Sequence, residues 1–211
     1  MIQDFNSLVQ AIVDFSKRDT LSPFAPYFIQ DGEDRVYRAI LAQNEGRGVS
    51  WMEAPLAYTI SASGFGAVPS DFLAPKHSVL QTTAQDVLLI NKPPGWIYDN
   101  YPMRSADSVP AYVAKEGANF IFGPFPDAQY SVVGQYYQRA LPLSSSNSTT
   151  WMTANMPLTL LAGCMASVSR FLKDPEGEQI WAKDMMDRLA DLVTADKAVD
   201  YSDGTLVIEV A

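Results

Sequence analysis

The chain has 211 residues, 15 basic against 24 acidic side chains, a formal net charge of −9 and a single cysteine. That balance opposes the DNA backbone, which carries about one negative charge per 1.7 Å of duplex, and sets nucleic-acid binding aside as a primary task. One cysteine excludes an intramolecular disulfide and a thiolate metal cluster. Charged residues make up 18% and hydrophobic residues 47%; the charged share of an average chain is about 25%, so more surface is expected to be covered by partners than a monomer needs.

The opening MIQDFNSLVQ contains an aspartate and no basic residue, and is read as the start of the fold and not as a targeting segment. Over residues 4–17, Phe5, Leu8, Val9 and Ile12 recur at helical spacing behind Asp4, an N-cap residue type. A second helix is predicted from Pro26 to about Gln43, with Ile29, Gly32, Val36 and Ile40 on one face. Glycine inside a helix costs about 1 kcal/mol relative to alanine, so Gly32 either marks a close helix crossing or weakens the reading of a helix here. NEGRG at 44–48 ends the helical pattern.

Between Ser50 and Leu143 the texture changes. Prolines and glycines punctuate short β-branched or aromatic runs: LAYTISA, HSVL, DVLLI, GWIYDNY, YVAKEGANFIFGP and YSVVGQYYQRAL. Such punctuation favours several short antiparallel strands, as in a small sandwich or open barrel. AYVAKEGANFIFGPFP is the clearest hairpin, and the alternation of Phe120 and Phe122 with Ile121 predicts a strand covered on both faces.

LSSSNSTT is then a polar connection in which Asn147, Ser148 or Thr149 can cap the turn carrying Trp151. Pro157 opens a helix with Leu161, Cys164, Met165, Val168, Phe171 and Leu172 on its apolar stripe. Asp174-Pro175 opens another, reaching about Lys197, with Trp181, Met185, Leu189, Leu192 and Val193 inward. These helices need more cover than they give each other, and only the N-terminal pair can supply it. The segment GTLVIEVA at 204–211 alternates like a strand and is expected to add to an edge, on a neighbour in preference to its own sheet.

The expected fold is therefore α+β: a helical bundle built from both chain ends with an inserted antiparallel β-domain. The divisions are 1–48, the N-terminal helical pair; 49–146, the β-domain; 147–201, the C-terminal helical hairpin; and 202–211, an extended arm.

VPSDFLAP at 68–75, FIFGPFPDAQYSVVGQYYQRALPLS at 120–144, TTWMTANMP at 149–157, SRFLKDPEGEQIWAKDMMDRL at 169–189 and the strand-like tail follow one another in an order that resembles the adaptor, or head-to-tail connector, proteins of tailed bacteriophages. The resemblance implies a structural virion protein that forms a homo-oligomeric ring, twelve-fold, beneath the portal protein. It would bind the portal and a tail or nozzle protein, and let double-stranded DNA pass without specific binding. The implied location is the neck of the virion, after assembly in the host cytoplasm. No enzymatic activity, cofactor, metal or membrane association is implied. A rival reading is a small-molecule- or protein-binding β-domain on a helical oligomerisation base, though the sequence shows no convergent polar pocket for it. A hydrolase ranks third.

Candidate contact residues for neighbours or the portal are Tyr136, Tyr137 and Trp151 at the junction of the two parts, and Leu206, Ile208 and Val210 in the tail. For the aromatic three, core packing is an equally good reading. Asp184, Asp187 and Asp191 in the acidic last helix are candidates to face a channel, against the reading that they form an ordinary solvated face. His77 has no nucleophile motif beside it and is read as a surface residue. Cys164 is read as a small buried apolar group. SGFGAV lacks the third glycine of a dinucleotide cradle. Asp31, Glu33 and Asp34 point in different directions on a helix and are read as a solvated face.

Overall fold

The computed structural model describes residues 1–105 and 107–202, with backbone alone for 198–202. The chain divides into two units: residues 1–51 together with those from Ala140 onward, and Met52–Arg139.

In the first unit, helix α1 (Phe5–Ser16) starts at a reciprocal cap. Asp4 Oδ1 accepts from the Ser7 N–H at 2.8 Å, and Ser7 Oγ accepts from the Asp4 N–H at 2.9 Å. Leu8, Ile12 and Val13 form its buried face. A 3₁₀ segment, Asp19–Phe24, leads into α2 (Ala25–Gln43), where Pro26 sits in the first turn, the one place its missing N–H is harmless. α4 (Trp151–Asn155) and α5 (Pro157–Phe171) follow the polar connection. α6 (Pro175–Ser202) begins where Asp174 Oδ1 accepts from the Gly177 N–H at 3.0 Å. The numeral α3 belongs to a short helix, Pro94–Asn100, in the other unit.

α5 is the centre of this bundle. Residues 159–169 are all buried, because α1, α2, α4 and α6 pack around it. The expected one-sided stripe is therefore a helix covered all round, and Phe171 at its end is exposed. Small residues at Ala162, Gly163, Cys164, Ala166 and Ser167 make close approach feasible. A Cβ added at Gly32 would lie 2.7 Å from Cys164 Sγ and 2.9 Å from its backbone nitrogen. One added at Gly163 would lie 3.2 Å from the Gly32 oxygen and 3.3 Å from Met185 Sδ, so α2 and α6 both lean on this point of α5. α6 buries Met185, Leu189 and Val193, a four-residue spacing that draws one narrow stripe, with Trp181 and Leu192 half-buried beside it.

The second unit is two open four-stranded sheets, not a closed barrel. One has the order β1 (Glu53–Thr59), β8 (Ser131–Gln138), β3 (Phe72–Gln81), β4 (Val87–Leu88), all antiparallel. The other has the order β2 (Phe65–Ala67), β7 (Asn119–Gly123), β6 (Tyr112–Glu116), β5 (Ile90–Asn91), with β5 and β6 parallel. Leu56, Leu80 and Val132 of the first sheet pack with Val113, Phe120 and Phe122 of the second. Ile121 points to the opposite face, where it packs with Ala114 and with Ile97 of α3. β7 is thus covered on both faces, as its alternation predicts.

Two strand expectations fail here. GWIYDNY is α3 instead of a strand, because Pro93 takes the extended cap position and Pro94 the first helical one, which presets the turn. DVLLI is not one strand but two: Leu89 donates its N–H to Ser78 O at 2.9 Å and Ile90 donates to Ala111 O at 2.9 Å, so the chain changes sheets between β4 and β5.

Candidate interaction surfaces

Trp151 begins α4, where Thr153 Oγ1 accepts from the Thr150 N–H at 3.0 Å, so the cap is Thr150 and not one of the three residues before it. Trp151 stands edge-on to Tyr37, with centroids 6.1 Å apart, and stacks against Trp51 at 6.4 Å. Its Nε1–H donates to Tyr37 Oη at 3.3 Å, and the same oxygen accepts from the Ala140 N–H at 2.9 Å. The two ends of the helical unit's interrupted chain, at Trp51 and at Ala140, are therefore both fastened to the Tyr37–Trp151 pair.

Tyr136 and Tyr137 lie on β8 and are buried within their own unit. Tyr136 stacks on Phe72 with centroids 5.5 Å apart and donates its hydroxyl to Asp71 Oδ1 at 2.8 Å. Burial, with that carboxylate beside it, pushes the phenol up to about 12. The structure does not bring these tyrosines together with Trp151 in one unit. Leu206, Ile208 and Val210 lie outside the described residues.

The three acidic candidates on α6 differ. Asp184 is half-buried and accepts from Arg188 Nε at 2.9 Å, a pair four residues apart on one face, while Asp187 and Asp191 are exposed. A fourth, Asp196, accepts from Ser50 Oγ at 2.5 Å and from its N–H at 3.2 Å, which holds the last turn before Trp51 against α6.

The Asp31, Glu33 and Asp34 group is not a simple solvated face. Glu33 is buried and accepts from the Leu143 N–H at 3.2 Å, a role its helical position alone does not reveal. Asp31 accepts from Arg35 Nε at 2.8 Å and from Ser167 Oγ. Partial burial raises its pKa, but the Ser167 and Arg35 hydrogen bonds and the charges of Arg35 and Arg170 outweigh that and hold it below the usual carboxylate range. Glu178 of α6 is held low chiefly by its hydrogen bond from Arg170, at 2.8 Å. This network ties α2, α5 and α6 together at one level.

His77 is exposed on β3. Cys164 is fully buried on α5, and burial, followed by the charges of Glu33 and Asp31, pushes its thiol well above the usual range. Among the described residues, no group of three or more His, Cys, Asp or Glu could hold a metal. The surface instead offers apolar contact. Phe24, Tyr27 and Phe171 are exposed at one end of the helical unit, Tyr27 by 70%, with Phe24 and Phe171 centroids 5.6 Å apart. An open groove of about 740 Å³ runs along α6, walled by Trp51, Met156, Pro157, Leu158, Leu192 and Ala195.

A surface of this kind, acidic in places and apolar in others, fits a protein that works through contact. The family model described as SU10 adaptor protein matches residues 3–207. The chain belongs to the SU10 adaptor protein family. No curated protein matches it significantly. Membership bears out the resemblance to tailed-phage adaptors and makes the chain a structural adaptor protein of a bacteriophage. Such adaptors associate with portal and tail proteins in the neck of the virion. Among the described residues of this adaptor, no helix is long and apolar enough to cross a membrane.

Proposed function

We propose that the adaptor acts as one subunit of a twelve-fold ring beneath the portal and continues the DNA path towards the tail. Family membership over residues 3–207 is the observation that carries this reading. A head-to-tail ring needs two different surfaces on each copy, so that the rotation between neighbours closes the circle. The exposed aromatic end formed by Phe24, Tyr27 and Phe171 supports such a role, since it is an apolar patch that a monomer gains nothing by exposing.

The acidic candidates support a non-adhesive passage. Asp187 and Asp191 are exposed, and we assign them, with Asp184 behind them, to the face turned to the DNA path. Carboxylates there would repel phosphates and release no counterions, so passing DNA would find no holding contact. The mechanism is geometry and assembly, and no bond is made or broken.

The experiment is imaging of the purified protein with a candidate portal by negative-stain electron microscopy. Discrete rings seated on the portal support the reading. A monomer that never enters a portal complex favours the rival of a binding module on a helical base.

A further inference from the structure

A second cleft, of about 360 Å³, opens elsewhere on the helical unit. Arg35, Arg38 and Ala39 of α2, Arg170 of α5, and Met185 and Met186 of α6 line it. Every charged residue on its wall is therefore an arginine, in a chain whose formal net charge is −9. We infer that this cleft is a docking site for one carboxylate of a partner protein, an aspartate or glutamate side chain carried between apolar neighbours.

The charge count carries this. Arg35 donates from Nε to Asp31 at 2.8 Å and from Nη2 to Glu178 at 3.5 Å, and Arg170 holds Glu178 through Nε at 2.8 Å and Nη2 at 2.6 Å. Arg38 gives its Nε to the main-chain oxygen of Asp34 at 3.1 Å, and its Nη2 stands 4.0 Å from Asp31. None of these three acids lines the cleft. Three guanidiniums held by two carboxylates, Asp31 and Glu178, leave one positive charge. A monoanion balances that charge, whereas a phosphate dianion overshoots it. The Nη1 groups of all three arginines have no partner among the described residues. They leave a second edge of each planar fork for an incoming carboxylate, a geometry that lysine does not offer.

The rest of the wall selects the form in which that carboxylate arrives. Met185 is buried and Met186 is 37% exposed, and their unbranched thioethers adapt to an aliphatic stem. A side-chain carboxylate beside apolar residues uses both the arginines and the methionines. A bare inorganic anion uses the arginines alone. Arg38, 72% exposed, is the member best placed to turn towards the incoming group, while Arg35 and Arg170 stay fixed on Asp31 and Glu178.

The test is fluorescence anisotropy with the full-length protein and a rhodamine-labelled, C-terminally amidated Gly-Leu-Glu-Leu-Gly peptide as the probe. Saturable binding is expected, about tenfold weaker when glutamine replaces the glutamate of the probe and about tenfold weaker in Arg38→Gln. Arg47→Gln makes the same change in net charge at an exposed position outside the cleft and should bind like the unaltered protein. Arg38 is mostly exposed, so its variant is expected to keep its fold, which circular dichroism checks. Arg38→Lys, which keeps the charge and loses the fork, should fall between the two. Equal binding of the two probes, equal loss in Arg38→Gln and Arg47→Gln, or no binding at all overturns the inference. Stronger displacement of the probe by inorganic phosphate than by acetate at equal ionic strength overturns the assignment to a carboxylate.

Discussion

Gly32 of α2 lies against Cys164 of α5 so closely that any side chain would collide with the backbone of its partner, 2.9 Å from the Cys164 nitrogen. The obstacle is main chain, which cannot rotate aside. Replacing Gly32 by leucine is therefore expected to force the two helices apart and to destabilise the protein by about 3 kcal/mol. Urea unfolding of the purified variant checks this. A change within experimental error would mean that the crossing is looser than described.

The carboxylates of Asp31 and Glu178 are both held below their ordinary pKa by arginines and hydrogen bonds. Lowered folded-state pKa values mean that the unfolded chain takes up protons first as pH falls. The stabilisation is thus complete above the ordinary carboxylate range, near pH 4, and is lost as pH falls through the lowered values. Asp31→Asn should flatten this acid limb while leaving the slope near neutral pH unchanged. Unfolding midpoints compared between the two proteins from neutral pH down to acid read the difference. Both groups are only partly buried, so solvent screens them and the effect is modest.

Tyr136 is expected to act through folding. Tyr136→Phe removes the hydroxyl donated to Asp71 and should cost about 1 kcal/mol. Tyr136→Ala also opens a cavity beneath Phe72 and should cost about 3–5 kcal/mol. In an alkaline absorbance titration, the folded protein should show a phenol near 12 that is missing from Tyr136→Phe. A phenylalanine variant of unchanged stability that fails to oligomerise would instead make Tyr136 an intermolecular contact.

His77 is exposed on β3, and His77→Ala should leave particle assembly and infectivity unchanged. A phage that assembles normally but loses infectivity would give that imidazole a chemical role.

The helical part was legible where local chemistry and tertiary packing agree. Asp4, Pro26, Pro157 and Asp174-Pro175 mark starts that the helices use, and of the two readings open at Gly32, a close crossing or a weaker helix, its contact with Cys164 decides for the crossing. The β-part was legible as a class and less so in detail. GWIYDNY has strand-like residues, but the paired prolines before it decide for a helix. DVLLI is apolar throughout, so no periodicity reports that the chain changes sheets at Leu89. Glu33 was misread because helical spacing tells which residues share a face, not which polar ones meet a buried backbone N–H such as that of Leu143. Of the acidic candidates, the spacing of Asp184 and Arg188 was visible in sequence, whereas the capture of Asp196 by Ser50 joins residues far apart in the chain.

The central claim is that the adaptor closes into a ring that engages the portal. Cryo-electron microscopy of the purified protein, mixed with the portal of the same phage, measures this most directly. The account predicts a ring of twelve copies coaxial with the portal around an open channel. Adaptor that stays monomeric, or that binds the portal as isolated subunits without closing a ring, would contradict it.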